Sequence, residues 1–198
     1  ILFKVAYPAE FHSQTAVEAA VQLHPQVVNH LDKIKNIYID THEAAIRIID
    51  KTGPLHNPAD RDHCMQYMVS VALLKGNLTA KDYEEDVAKD PNIDLLRKKI
   101  VLREDLQFTE DYFDLDKRAI TNQITIEWES GENLPPVKVE YPLGHKFRRE
   151  ESHSFLIEKF HRNMRQHFKQ EQIDEIQHIV LEANLEETFV DHLLFKLS

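Results

Sequence analysis

Alternation of apolar and polar positions marks the strands of this chain. Ile34 to Thr41 sets Ile37 and Ile39 on one side and reads as a strand. Ile120, Ile124, Ile126 and Trp128 share one parity, as a half-buried strand does. After a turn at Ser130-Gly131, Val137, Val139 and Tyr141 answer with the same period, which predicts an antiparallel hairpin. Ile100 to Arg103 reads as a further short strand, and Leu2 to Tyr7 as another that ends at Pro8. Helical spacing appears elsewhere. Thr15-x-x-Glu18 has the form of a capping box, and Ala16, Val17, Ala20 and Val21 make an apolar face that stops before Pro25. Glu43 to Lys51 reads as a short helix ended by Gly53-Pro54. Asn57 is placed to cap a helix with Pro58 at its first position, running to about Leu74. Thr79 to Lys89 and Ile93 to Lys99 read as two acidic, exposed helices. From Ser152 the pattern is helical only, over Ser152 to Phe168, Gln170 to Asn184 and a short terminal helix containing Leu193, Leu194 and Leu197. The expectation is an α+β domain over 1–150, a mixed sheet with helices, followed by an α-helical tail over 151–198.

Composition narrows the class. The chain has 198 residues, 42% hydrophobic and 29% charged, enough to bury a core without disulfides or structural metal. A net charge of -10 argues against nucleic acid or an anionic membrane as partner. No apolar run reaches membrane-spanning length, and no signal peptide is visible. The lone cysteine, Cys64, excludes an internal disulfide and an iron–sulfur site built from this chain's cysteines, and fits a reducing, cytoplasmic setting. Four glycines leave no room for a glycine-rich phosphate loop, which argues against nucleotide binding. The opening Ile1-Leu2-Phe3, without methionine, suggests a segment of something longer.

Three stretches could carry chemistry. In Lys4-Val5-Ala6-Tyr7-Pro8-Ala9-Glu10-Phe11-His12, Lys4 could anchor a carboxylate and His12 could act as acid or base; the alternative is a solvated lysine beside turn residues. Asn57-Pro58-Ala59-Asp60-Arg61-Asp62-His63 opens a helix, where free N–H groups and the dipole favour an anion and the Arg61 fork suits a carboxylate. His63 and Tyr67 would share a helical face there. The alternative is a first turn stabilised by its own acids, with Arg61 paired to Asp60 or Asp62. Metal-ligand spacing is missing from Asp60-x-Asp62-His63, so no metal is expected. Tyr141-Pro142-Leu143-Gly144-His145-Lys146-Phe147-Arg148-Arg149 lies in the basic part of an acidic chain: residues 138–169 hold eight Lys/Arg against four Asp/Glu. It could bind carboxylates through His145 and Arg148, or be a solvated linker. No Ser–His–Asp or Cys–His arrangement can be argued, and Cys64 reads as a buried small residue.

These stretches, together with Thr41-His42-Glu43-Ala44-Ala45-Ile46-Arg47-Ile48-Ile49-Asp50-Lys51, Leu78-Thr79-Ala80-Lys81-Asp82-Tyr83-Glu84 and Asp116-Lys117-Arg118-Ala119-Ile120, resemble the C-terminal domain of the MmgE/PrpD family. The likeness spans the whole chain, and residues 53–68 point to the methylcitrate branch. The resemblance implies a larger N-terminal helical domain, absent here, and a smaller α+β lid, with the final helices returning to the helical domain. It implies an active site between the two and a homodimer. The implied reaction removes water from the small tricarboxylate 2-methylcitrate to give 2-methyl-cis-aconitate in propionate breakdown by the methylcitrate cycle. No cofactor is implied, and the setting is cytoplasm, or the mitochondrial matrix in a eukaryote. In the decarboxylase branch a lid lysine and histidine lie close to the Phe/Tyr-Pro-Ala motif; here Lys4 is slightly displaced and Glu10 stands where that branch has histidine, which speaks against decarboxylation. On this reading His12, Asp60 and His63 are the catalytic candidates, and Lys4, Arg61, His145 and Arg148 the substrate-binding ones. The central expectation is a trianion held at the mouth of the Pro58 helix, beside the loop that bears His12. The rival expectations are a structural or dimerisation module without catalytic residues, and a related lyase acting on citrate or cis-aconitate.

Overall fold

A computed structural model describes residues 4–182. The chain divides into two compact units, 1–151 and 152–198.

The first unit is built on four strands: β1 (Ile34–Thr41), β2 (Ile100–Glu104), β3 (Asn122–Trp128) and β4 (Val137–Val139), in the order β2-β1-β3-β4. β1 and β2 run parallel, while β1–β3 and β3–β4 are antiparallel. The sheet is therefore mixed, and the fold is α+β. Alternation sets the register. Ile37 and Ile39 of β1 face Ile126 and Ile124 of β3, and all four are fully buried. The hairpin turns through Gly131 at φ +85°, a left-handed conformation that glycine adopts without a Cβ clash.

Helices α1 (Gln14–Val27) and α4 (Met65–Lys75) pack on one another, and α1 also lies against β3 and β4. Every residue from Met65 to Leu73 is buried, as suits a helix apolar nearly all round. Gly76 ends α4 at φ +67°, its N–H donating to the Ala72 carbonyl over 2.9 Å. A Cβ at Gly76 would stand 2.7 Å from the His24 ring, which is itself held by a 2.8 Å contact from Nδ1 to the Leu73 carbonyl. Shorter helices carry the crossover from β1 to β2: α2 (Glu43–Ile49), α3 (Pro58–Arg61), α5 (Glu85–Ala88) and α6 (Pro91–Arg97). α7 (Leu106–Phe113) then leads toward β3.

Five local expectations give way. Residues 79–89 form a 3-10 turn, Ala80–Tyr83, and the short α5 instead of one exposed helix, and Tyr83, Ile93 and Leu96 are buried. Residues 4–7 form no strand; the strap they begin has its carbonyls taken by side chains, with Gln14 Nε2 donating to Tyr7 and Ala9 and the Tyr83 hydroxyl to Pro8. Thr15 does not cap. It lies inside α1, buried, its hydroxyl donating to the Ile120 carbonyl, and Ser13 stands at the N-cap. Pro25 does not stop α1, which continues to Val27; the packing of Leu23 and Val27, both buried, outweighs the hydrogen bond that Pro25 removes. The Pro58 helix does not run to Leu74. It breaks after Arg61 and restarts at Met65, so His63 and Tyr67 do not share a helical face.

In the second unit, α8, which begins at Arg149 and ends at Met164, is followed by α9 (Gln170–Glu182). His161 Nε2 bonds the Gln177 side chain between them, and Ile173 and Ile176 are buried. The expected terminal helix around Leu193 lies outside the described residues.

Candidate functional site

His12 sits in a 3-10 turn, Phe11–Ser13, between the strap and α1. Three side chains fix that turn. The Ser13 hydroxyl donates to the Glu10 carbonyl over 2.7 Å, and the His12 N–H donates to Glu10 Oε2 over 2.7 Å. Asn122, fully buried at the start of β3, donates to the His12 carbonyl at 2.9 Å and to the Thr15 hydroxyl at 2.7 Å. The His12 ring, 7% exposed, is thereby held at the end of the sheet where β1 finishes and β3 begins.

The ring stands between an acid and a phenol. His12 Nδ1 lies 2.9 Å from Glu10 Oε1. Burial pushes the Glu10 carboxyl up, but hydrogen bonds and charge from His12 outweigh it and hold the carboxyl below its usual range, with a further contribution from His63. An ionised Glu10 can only accept, so Nδ1 carries the proton. In the neutral ring Nε2 is then the acceptor, and the Tyr112 hydroxyl, 3.2 Å away, donates to it. Burial, with the Glu10 charge, raises the Tyr112 pKa. His42 closes the group. Its ring stacks on Tyr112 at 4.5 Å and lies 5.2 Å from His12. It is fully buried, and its Nε2 has no hydrogen-bond partner of ordinary geometry among the described residues. Burial, reinforced by His12, pushes its pKa down to about 4, against the Thr121 backbone and Glu10, which pull the other way. At neutral pH His42 is uncharged.

This arrangement can move a proton. Glu10 orients His12, and His12 Nε2 presents a base whose partner, Tyr112, is half-buried and faces outward. Among the described residues no cluster of His, Cys, Asp and Glu has the makings of a metal site.

The other candidates are placed differently. His63 is half exposed and pairs with Asp62, yet it lies close enough for its charge to bear on Glu10. The helix mouth at Pro58 is closed by its own polar groups: Asn57 Oδ1 accepts the Asp60 N–H, and the Asp60 carboxylate accepts the His56 N–H and the Asn57 amide. Arg61 is 3% exposed and turns inward, donating to the Tyr83 carbonyl and to Glu85 Oε1, each at 2.6 Å. Arg148 forks onto Glu18 at 2.9 and 3.0 Å and donates to the Tyr141 carbonyl and Glu151. His145 is buried and stacks on Tyr141 at 4.6 Å; burial lowers its pKa. Lys4 is exposed. Cys64 is buried at the N-cap of α4, its thiol donating to the Lys51 carbonyl and its pKa raised by burial. The structure thus joins His12 to Glu10, and more loosely to His63, while Arg61 and Arg148 are engaged in holding chain segments together.

Sequence reasoning missed Tyr112, His42 and the whole of α7. The signals were present. Asp105 caps α7, accepting from the N–H groups of Gln107 and Phe108, and Phe108 and Tyr112 stand four apart on one face. His42 ends a strand and begins a helix, a junction where functional side chains concentrate.

The MmgE/PrpD C-terminal domain family matches residues 7–185. The chain is 52% identical, over 98% of its length, to the 2-methylcitrate dehydratase of Salmonella typhimurium, of which it covers 41%. It is 54% identical, over 85% of its length, to the probable 2-methylcitrate dehydratase of Saccharomyces cerevisiae, of which it covers 33%. It is 50% identical, over 89% of its length, to the mitochondrial 2-methylcitrate dehydratase of Yarrowia lipolytica, of which it covers 34%. The chain therefore spans between a third and two fifths of these relatives' length. With a family match over nine tenths of its residues, this chain belongs to the MmgE/PrpD family, in the region of the C-terminal domain.

Proposed function

We propose that the chain is the C-terminal part of a hydro-lyase that converts 2-methylcitrate to 2-methyl-cis-aconitate, with 1–150 as the lid over a site completed by an N-terminal helical domain, and the tail from 151 packing back on that domain. The similarity to relatives named 2-methylcitrate dehydratase supports the substrate. The observation that carries the chemistry is the Glu10–His12–Tyr112 chain, with Nδ1 held by the carboxylate and Nε2 turned to the phenol. In the elimination, the C–H bond next to a carboxylate breaks, its electron pair forms the C=C bond, and the C–O bond to the hydroxyl breaks as water leaves. His12, directly or through Tyr112, is the proton-transfer group of this chain, and His63 is the nearer of the remaining candidates. Arg61 and Arg148 serve the fold on this reading, and their carboxylate-binding role passes to other cations. The reading includes a homodimer and a setting in the cytoplasm or mitochondrial matrix; no helix among the described residues is long and apolar enough to cross a membrane.

The test is turnover by the complete enzyme, followed by absorbance of the unsaturated product. His12→Gln is expected to lower kcat by about 10²–10⁴-fold, and Glu10→Gln by a smaller factor, each measured per folded enzyme. Full activity in His12→Gln would remove His12 from the chemistry.

A further inference from the structure

The end of α7 and the segment 114–120 that follows it toward β3 form one wall of a groove. The groove has a volume of about 350 Å³ and is lined by Phe11, Tyr112, Phe113, Leu115, Arg118 and Ile120. That volume suits a small ligand. Its walls are apolar and open to solvent: Phe113 is 62% and Leu115 72% exposed. Tyr112 belongs both to the groove and to the proton-transfer chain, so anything lodged there lies beside His12.

Arg118 is the cation of this groove. Its side chain makes no hydrogen bond or ion pair among the described residues, unlike those of Arg61, Arg97, Arg103 and Arg148, each of which is paired to an acid. Most of the nearby charged side chains have polar partners. Lys117 pairs with Asp111 at 2.6 Å, Asp114 Oδ1 accepts the N–H groups of Asp116 and Lys117, and Lys146 donates to the Asp116 carbonyl. The backbone at Arg118 is also unusual. At φ +48° it is the one non-glycine residue in the left-handed region among those described. Its N–H donates to the Asp114 carbonyl over 2.7 Å, and Ala119 N–H to that of Asp111 over 3.1 Å, a turn whose left-handed position favours glycine or asparagine. Folding alone therefore gives no reason for arginine here.

We propose that this groove is a carboxylate-binding subsite in which the Arg118 guanidinium holds one carboxylate of a small polycarboxylate while Phe113 and Leu115 cover its apolar part. A planar fork matches a carboxylate in two parallel hydrogen bonds, and the exposed apolar walls lose contact with water where the ligand covers them. The proposal rests on the proposed function for its ligand class and adds the residue and the place.

NMR titration of the complete enzyme with tricarballylate and with 2-methylcitrate tests it. The expected result is a saturable shift of the Arg118 Nε–H and of the Tyr112 and Phe113 ring signals. Arg118→Gly should abolish that shift while leaving melting equal or higher, because glycine relieves the turn. Arg118→Lys should keep the charge and lose about tenfold in affinity with the fork. Absence of a saturable shift, or a shift that survives Arg118→Gly, overturns the subsite. So does inorganic phosphate binding as tightly as tricarballylate, since the site would then read charge alone. The two readings fail separately. Binding at Arg118 together with a complete enzyme inert toward 2-methylcitrate would sink the proposed substrate and leave the subsite. Turnover with an unchanged KM in Arg118→Gly would sink the subsite and leave the substrate.

Discussion

At the scale of single residues, burial sets the charge state of several groups in the candidate site. His42 is neutral because it is buried, and that links its pKa to stability. Folding lowers its pKa from 6.5 to about 4, so the unfolded chain takes up this proton first. The stability held in the neutral ring is complete above the unfolded value and is lost as pH falls from 6.5 toward 4, on the order of 3 kcal/mol in all. Glu10, whose pKa is lowered from 4.5, keeps its contribution above that value and loses it as pH falls through the folded one, so its window opens below that of His42. Urea midpoints taken at about pH 7 and about pH 5 should differ in the native chain, and His42→Phe should flatten the difference by keeping a ring that cannot titrate. Arg61 makes the opposite case. Its removal leaves the Tyr83 carbonyl buried without its donor, which costs about 2 kcal/mol. Arg61→Ala should lower the urea midpoint and leave kcat and KM per folded enzyme unchanged; a raised KM with an unmoved midpoint would return Arg61 to the substrate. From sequence, the Glu10–His12 segment stood out because it pairs an acid with a histidine just before a helix start, although the strand expected before it is absent. The ion-pair partners of Arg61 and Arg148 were not legible, since a fork that suits a ligand carboxylate suits Glu85 or Glu18 equally well.

At the scale of elements, the strands were the most readable part. Period-two alternation gave β1 its full span from Ile34 to Thr41 and gave the antiparallel hairpin, because one face of each must be buried. The helices were less readable where tertiary packing overrides local signals. Thr15 looks like a cap but is drawn inward by Ile120 and Asn122, and Pro25 looks like a stop but sits in a turn held by the core. α7 is marked only by its Asp105 cap and the Phe108–Tyr112 spacing, a short signal with a single buried apolar residue, Phe108. α4 offers the sharpest test at this scale. Gly76 combines a left-handed backbone with the His24 ring against its Cα, so Gly76→Ala should cost at least about 1 kcal/mol, read as a lowered melting temperature. Pairing it with His24→Ala should recover the steric share and leave the backbone share.

For the whole molecule, the α+β class followed from strands and helices interleaved before residue 150 and helices alone after it. On the proposed function, an elimination needs an acid, a base and several cations around one substrate, and the described residues bring two histidines, His12 and His42, one phenol and one unengaged arginine to the same edge. The 198-residue chain by itself should show no turnover of 2-methylcitrate, followed by absorbance of the product, and measurable turnover would show that the lid needs no second wall. The strap from Tyr7 to Glu10 bears on how such a domain could diversify. Its carbonyls are secured by Gln14, Tyr83 and Ser13, none of which belongs to the sheet. Evolution could thus exchange the groups at positions 10 and 12 without unzipping a single rung of the β-ladder, so new reactions become a matter of re-equipping the ribbon while the barrier to unfolding stays where the strands put it.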